Sequence, residues 1–144
     1  MEVAVRVTVW SQQRQKDGDR HTFEVTADGK LYQKGDAFYI NYRESEASGL
    51  GSTLTTIRLE GEEMTLIRQG ETVMRQVLTK GIEQRGSYKT PFGTFELITR
   101  TSRLYWNLKE TGGQIEALYN LRLSGEKSRM ELRISVVPLA TDRT

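Results

Sequence analysis

Four side chains sit where the sequence could support chemistry: Arg68, Arg75, Tyr88 and Thr90. Arg68 shares an every-second-residue alternation with Met64 and Leu66, and Arg75 stands between Val73 and Val77. If those apolar neighbours face the inside of a sheet structure, the arginines do too. A guanidinium is almost never buried without a partner. An inward arginine therefore calls for an internal glutamate, or for an anionic ligand held near a rim by its planar fork of donors. For Arg75 the alternation can be read both ways, because Met74, Gln76 and Leu78 define an opposite face that would leave Arg75 in water. Tyr88 and Thr90 precede Pro91, which has no backbone N–H and so belongs at a strand start, an edge or a bulge. Phe92-Gly93 then suggests a tight bend. The stretch reads either as a bent strand packing its aromatics or as a pair of hydroxyls offered at a cavity mouth.

Other chemistries find little footing. His21 is the only histidine and shares a strand face with Phe23 and Val25, so no multi-histidine metal site can form. Cysteine is absent, which removes disulfides and thiolate-bound zinc. No metal and no cofactor is expected. Ser11 or Ser87 could formally join His21 in a nucleophilic triad, but no G-x-S-x-G is present. Neither a G-x-x-x-x-G-K-[ST] loop nor a G-x-G-x-x-G fingerprint occurs. The "SGLGST" segment (48–53) has glycines and hydroxyls but no lysine and no helix pattern after it. The carboxylate pairs Glu60/Glu62 and Glu44/Glu46 lie at expected turns. Acid–base work would need one of each pair held in an apolar pocket. No catalytic residue is assigned.

The elements that must position these residues are strands. In "VAVRVTVW" (3–10), Val3, Val5, Val7 and Val9 alternate with other types, the mark of a strand with one buried face. Similar runs follow: His21 to Ala27 closed by Asp28-Gly29, then 37–42, 52–60, 63–68, 72–79, 84–90, 92–101 and 103–109. The last two strands are the clearest: Ile115, Ala117, Tyr119, Leu121 and Leu123 share one face of the first, and Met130, Leu132, Ile134 and Val136 share one face of the second. Turn signals such as Asp17-Gly18-Asp19, Lys34-Gly35-Asp36, Glu60-Gly61-Glu62 and Ser124-Gly125-Glu126 separate the runs. No window supports a helix of three turns, and "YRESEASGLG" (42–51) reads as a loop. With no helix to cover the sheet, the core must lie between sheets or inside a closed barrel. Frequent turns without long crossovers favour an up-and-down meander of about 8–10 strands. The expected core is Val5, Val7, Phe23, Leu97, Tyr119, Leu121, Leu132 and Ile134.

Bulk composition agrees. A chain of 144 residues with 36% hydrophobic and 28% charged residues suits one globular domain, expected to span 1–144. No apolar run approaches the ~20 residues of a membrane helix. Met1-Glu2-Val3 enters a strand pattern at once, so no signal peptide is expected. A cytoplasmic location is expected, since a cysteine-free chain suits a reducing compartment. Net charge is 21 − 19 = +2, with acids and bases interleaved along the sequence. A nucleic-acid partner is therefore not expected, because such binders concentrate positive charge.

The chain resembles the YwiB-like family of uncharacterised bacterial proteins. The resemblance is carried by "HTFEVTADGKLYQKGDAFYINYRE" (21–44), "LIRQGETVMRQ" (66–76) and above all "YKTPFGTFELITRT" (88–101). It implies a calycin-like (lipocalin-like) β-barrel and brings no established activity with it. The leading expectation is a non-catalytic barrel binding a small apolar or amphipathic ligand, with Arg68, Arg75, Tyr88 and Thr90 as ligand contacts. The alternatives are a homodimeric interaction module pairing apolar outer faces that include Trp10, and an enzyme with a shallow polar site.

Overall fold

The computed structural model describes residues 1–44 and 53–139. The expected loop at 42–51, the "SGLGST" segment and Glu46 fall wholly or largely outside these residues. The described chain forms ten antiparallel strands and no helix. They are β1 (Glu2–Gln15), β2 (Arg20–Lys34), β3 (Ala37–Glu44), β4 (Thr53–Glu60), β5 (Glu63–Gln69), β6 (Val73–Thr79), β7 (Glu83–Thr90), β8 (Gly93–Trp106), β9 (Gly113–Leu123) and β10 (Glu126–Pro138). Each strand pairs with its sequence neighbours, and β1 closes the barrel against β10. Closure gives the terminal strands partners and leaves fewer edges to meet other chains.

Alternation places one side of each strand inside. Val5 and Val7, Ile57 and Leu59, and Ile115 and Ala117 all fill the interior, each at most 2% exposed. Burying a large aliphatic side chain contributes about 1.5–3 kcal/mol, so this packing accounts for much of the fold's stability. Apolar residues fill the half of the barrel nearest the β4–β5 turn. Toward the other end the interior becomes polar, with Glu44, Thr53, Thr55, Gln76 and Thr99 buried among Tyr42 and Tyr119.

The expected core is largely present: Val5, Val7, Leu97, Tyr119, Leu132 and Ile134 are buried, and Leu121 is half-buried. Phe23 is the correction, being 60% exposed. The reason is register. β2 pairs with β1 along Arg20–Tyr32 but with β3 only from Gly29 onward. The hairpin arm carrying Phe23 thus extends past β3, and among the described residues nothing pairs with its outer edge.

Three expected breaks also change. Asp28-Gly29 is not a turn, since β2 runs straight through it. Gly29 is there because a Cβ at this position would collide with the backbone oxygen of Asn41 and lie 2.9 Å from the Cβ of Tyr42. The expected gap near residue 102 is a bulge in β8, where the pairing with β9 shifts between Thr101 and Arg103. Pro91-Phe92 is not a kink within a bent strand. It is the two-residue turn of the β7–β8 hairpin, closed by the Thr90/Gly93 pair, and Phe92 at its tip is 93% exposed.

Candidate functional site

The interior and the outer wall each gather polar chemistry. Inside, cross-strand register builds one continuous row: Tyr42 opposite Thr55, Thr55 opposite Arg68, Arg68 opposite Met74, and Met74 opposite Tyr88. Arg68 faces inward with Met64 and Leu66, as the alternation predicts. Its Nε lies 3.6 Å from Glu44 Oε1, with the two side chains 22% and 5% exposed. That nitrogen is buried and makes no hydrogen bond, while one terminal nitrogen donates to Met74 Sδ at 3.5 Å. Thr55 Oγ1 donates to the same Glu44 oxygen at 3.0 Å.

Two tyrosines complete this cluster. Burial drives the Tyr42 phenol far above the ordinary tyrosine range, and the neighbouring Glu44 carboxylate adds to the shift. Burial likewise raises Tyr119, against the opposing pull of the Arg68 charge and a hydrogen bond with Gln76. Both phenols therefore keep their protons at neutral pH. Tyrosine, arginine and glutamate do converge here, the pattern an enzymatic reading asks for. Yet every member except Arg68 is buried, and the cluster stands within the packed core, so the Arg68 charge is met by an internal glutamate.

The structure separates the other candidates. Arg75 projects outward and is exposed, while Met74, Gln76 and Leu78 face in. Tyr88 is half-buried against the core. Thr90 holds the hairpin turn: its Oγ1 accepts from the Phe92 N–H at 3.0 Å and bonds the Gly93 oxygen at 3.3 Å. Arg68 and Tyr88 thus share one interior row with Met74 between them, and Arg75 and Thr90 do not join it. Trp10, expected on an apolar outer face, is half-buried with the Arg133 guanidinium 4.9 Å from its ring centre. Among the described residues no group of three or more His, Cys, Asp or Glu is placed to hold a metal ion.

The outer wall holds what the linear sequence did not show. A cleft of about 580 Å³ opens across β1, β10, β9 and β8, lined by Arg14, Lys16, Arg100, Arg122, Lys127 and Arg129. Glu83 is its one carboxylate, and Ile98, which points outward between Leu97 and Thr99, contributes apolar surface. Alternation explains the gathering. Leu97 and Thr99, Tyr119, and Leu132 point inward, so Arg100, Arg122 and Arg129 on the same strands point out. Register then sets basic residues side by side. Arg14 pairs with both Arg20 and Arg129, and Lys127 pairs with Arg122. Like charges directly opposite on neighbouring strands destabilise a sheet.

Most arginines on the rest of the barrel wall are paired. Arg6 meets Asp28 at 3.2 Å, Arg85 meets Glu96 at 3.0 Å, Arg103 meets Glu116 at 3.1 Å and Arg133 meets Glu131 at 2.8 Å. None of the six cleft cations makes an ion pair among the described residues. Arg129 donates only to neutral oxygens, Asn120 Oδ1 at 2.9 Å and Ser102 Oγ at 3.4 Å. Chemically the cleft is a donor-rich, carboxylate-poor surface suited to an anion.

A closed ten-stranded antiparallel barrel with a buried apolar core and a basic outer cleft defines the class of protein. Comparison with known proteins then places it: residues 7–134 match the domain of unknown function DUF1934, and the chain belongs to that family. It is 28% identical over 114 residues to the uncharacterized β-barrel protein YwiB of Bacillus subtilis (strain 168), covering 79% of each chain. The crystal structure of the B. subtilis ywiB protein superposes with a TM-score of 0.81 at 27% identity, covering 93% of this chain and 92% of that one.

Proposed function

We propose that the protein is a non-catalytic, calycin-like binding barrel whose ligand is an amphipathic anion held in the outer basic cleft. The observation that carries this reading is the set of six cations lining one cleft without an ion-pair partner, on a barrel whose other wall arginines are mostly paired. Opposed like charges cost stability, and an anionic ligand would relieve that repulsion on binding. Ile98 offers the apolar part of such a ligand a surface. The reading moves the expected anion site from Arg68 and Arg75 to arginines on the β8–β10 wall.

The test is calorimetric titration with tripolyphosphate, octyl phosphate and neutral octanol. Charge-assisted hydrogen bonds contribute about 1.5–3 kcal/mol each, and about 1.4 kcal/mol is tenfold in affinity. Arg100→Gln with Arg122→Gln should weaken both phosphates tenfold or more and leave octanol unchanged. If the wild type binds neither phosphate, or if the pair of substitutions weakens all ligands equally, the reading fails.

A second reading, homodimerisation, is favoured by the β2 edge. Residues 20–28 pair with β1 on one side and with no described strand on the other, and Phe23 stands exposed on that arm. Such an edge is a template for pairing with another chain. Sedimentation equilibrium at micromolar concentration decides it, with a monomer at all concentrations excluding a dimer.

A further inference from the structure

Resting on the anion-binding reading, we propose that the basic cleft takes a single-stranded nucleic acid along its phosphate backbone. Arg20, Arg14, Arg129 and Arg100 lie in one cross-strand row over β2, β1, β10, β9 and β8, with Asn120 between the last two. Strands repeat at about 4.8 Å, so four spacings make the row roughly 19 Å long. One phosphate group cannot engage a row of that length; a ligand with several phosphates in series can. Lys127 and Arg122 form a second row beside the first, so the donors flank a track and do not ring a point.

Concavity and composition narrow the class. The cations line a cleft, and the residues that share it are Ile98, Leu121 and polar residues, with no aromatic among them. A membrane surface is met best by a flat or convex face with apolar side chains to insert, and neither of the exposed Phe92 and Phe23 lines the cleft. A flexible strand can enter the cleft and rest its bases or sugars on Ile98. With no aromatic platform for stacking, affinity would come from phosphate contacts and be indifferent to base sequence. The sequence-level expectation against nucleic acid rested on charges interleaved along the chain. Folding sorts them, because β1 and the turn after it are brought against β8–β10 when the barrel closes, so Arg14 and Lys16 join Arg100, Arg122, Lys127 and Arg129.

Fluorescence anisotropy with labelled 12-nucleotide single-stranded DNA and RNA tests this. Saturable binding is expected at 50 mM salt, with about five phosphate contacts giving a slope of log K on log salt near −3.5. Arg100→Gln with Arg122→Gln should weaken binding at least tenfold and flatten the slope by about 1.4. Arg6→Gln with Arg103→Gln, which removes paired wall arginines, should leave it unchanged. Thermal melts check folding, and the exposed Arg100 and Arg122 can be altered without opening the core. Tight binding of a 12-base-pair duplex in preference to the single strand would overturn the assignment. So would binding untouched by the cleft substitutions, or cosedimentation with phosphatidylserine vesicles in the absence of oligonucleotide binding. If tripolyphosphate binds the cleft and the oligonucleotides do not, this inference fails while the anion-binding reading stands; if neither binds, both fall.

Discussion

Removing the Glu44 charge tests how the barrel tolerates an arginine in its interior. At the 3.6 Å separation of Arg68 Nε and Glu44 Oε1, with an effective dielectric near 20, the gross attraction is roughly 4–5 kcal/mol. Glu44→Gln keeps the shape and an oxygen to accept from Thr55 but leaves the guanidinium uncompensated. Breaking one partner of a buried pair costs about 3–5 kcal/mol. The Arg68 side chain is 22% exposed, so water recovers part of that and about 3 kcal/mol is expected. Against a domain stability of about 5–15 kcal/mol, this is easily read by urea unfolding at constant m-value. Arg68→Met should cost a similar amount. The double variant should fall short of the sum of the singles by about 2–3 kcal/mol, since residues in direct contact couple on this scale. A loss below about 0.5 kcal/mol for Glu44→Gln, the range of ordinary surface changes, or strict additivity, would refute the view that Glu44 neutralises Arg68.

Two further outcomes follow from the interior. Gly29→Ala would push a methyl group into the Asn41 backbone of β3, and overpacking of this kind costs about 1–3 kcal/mol, measurable as a lowered thermal midpoint. Burial raises the Tyr42 and Tyr119 phenols, so above the unfolded value near pH 10 only the unfolded chain releases those protons. Stability from these groups is intact below about pH 10 and declines as pH rises toward the folded values, by roughly 1.4 kcal/mol per pH unit per tyrosine. Tyr42→Phe should flatten that alkaline decline in urea titrations between pH 8 and 11, and an unchanged slope would exclude Tyr42 as its source.

The alternation in Val3–Val9, Ile115–Leu123 and Met130–Val136 made the strands and their inner faces legible, because a two-residue period is a local property of the chain. Arg68 was legible for the same reason: it continues the Met64, Leu66 series. Phe23 was misread because alternation says which face a residue takes and not whether that face has a neighbour. Its strand outruns β3, and pairing length is a tertiary fact. Gly29 was read as a turn because glycine marks both turns and close backbone approach, and only the position of Asn41 separates the two. The basic cleft was invisible for a stronger reason. Arg14 and Arg100 meet the Arg122–Arg129 hairpin only through ladder register, which no short window contains. Pro91 marked a turn correctly in kind, but the two-residue hairpin depended on the exact Thr90/Gly93 pairing.

The way the barrel closes has a kinetic consequence. Nine of the ten ladders join strands consecutive in sequence and can zip as hairpins. The tenth joins β1 to β10 and brings Val9 opposite Ile134, 134 − 9 = 125 positions away. Closing a loop of that length costs about 4 kcal/mol of chain entropy before its first contact forms. The open meander is thus the natural resting point on the folding route, and mating the two terminal strands is the step that sets its pace. Until β10 emerges during synthesis, β1 has an unsatisfied edge, and the nascent chain is most vulnerable to pairing with another copy of itself in that interval.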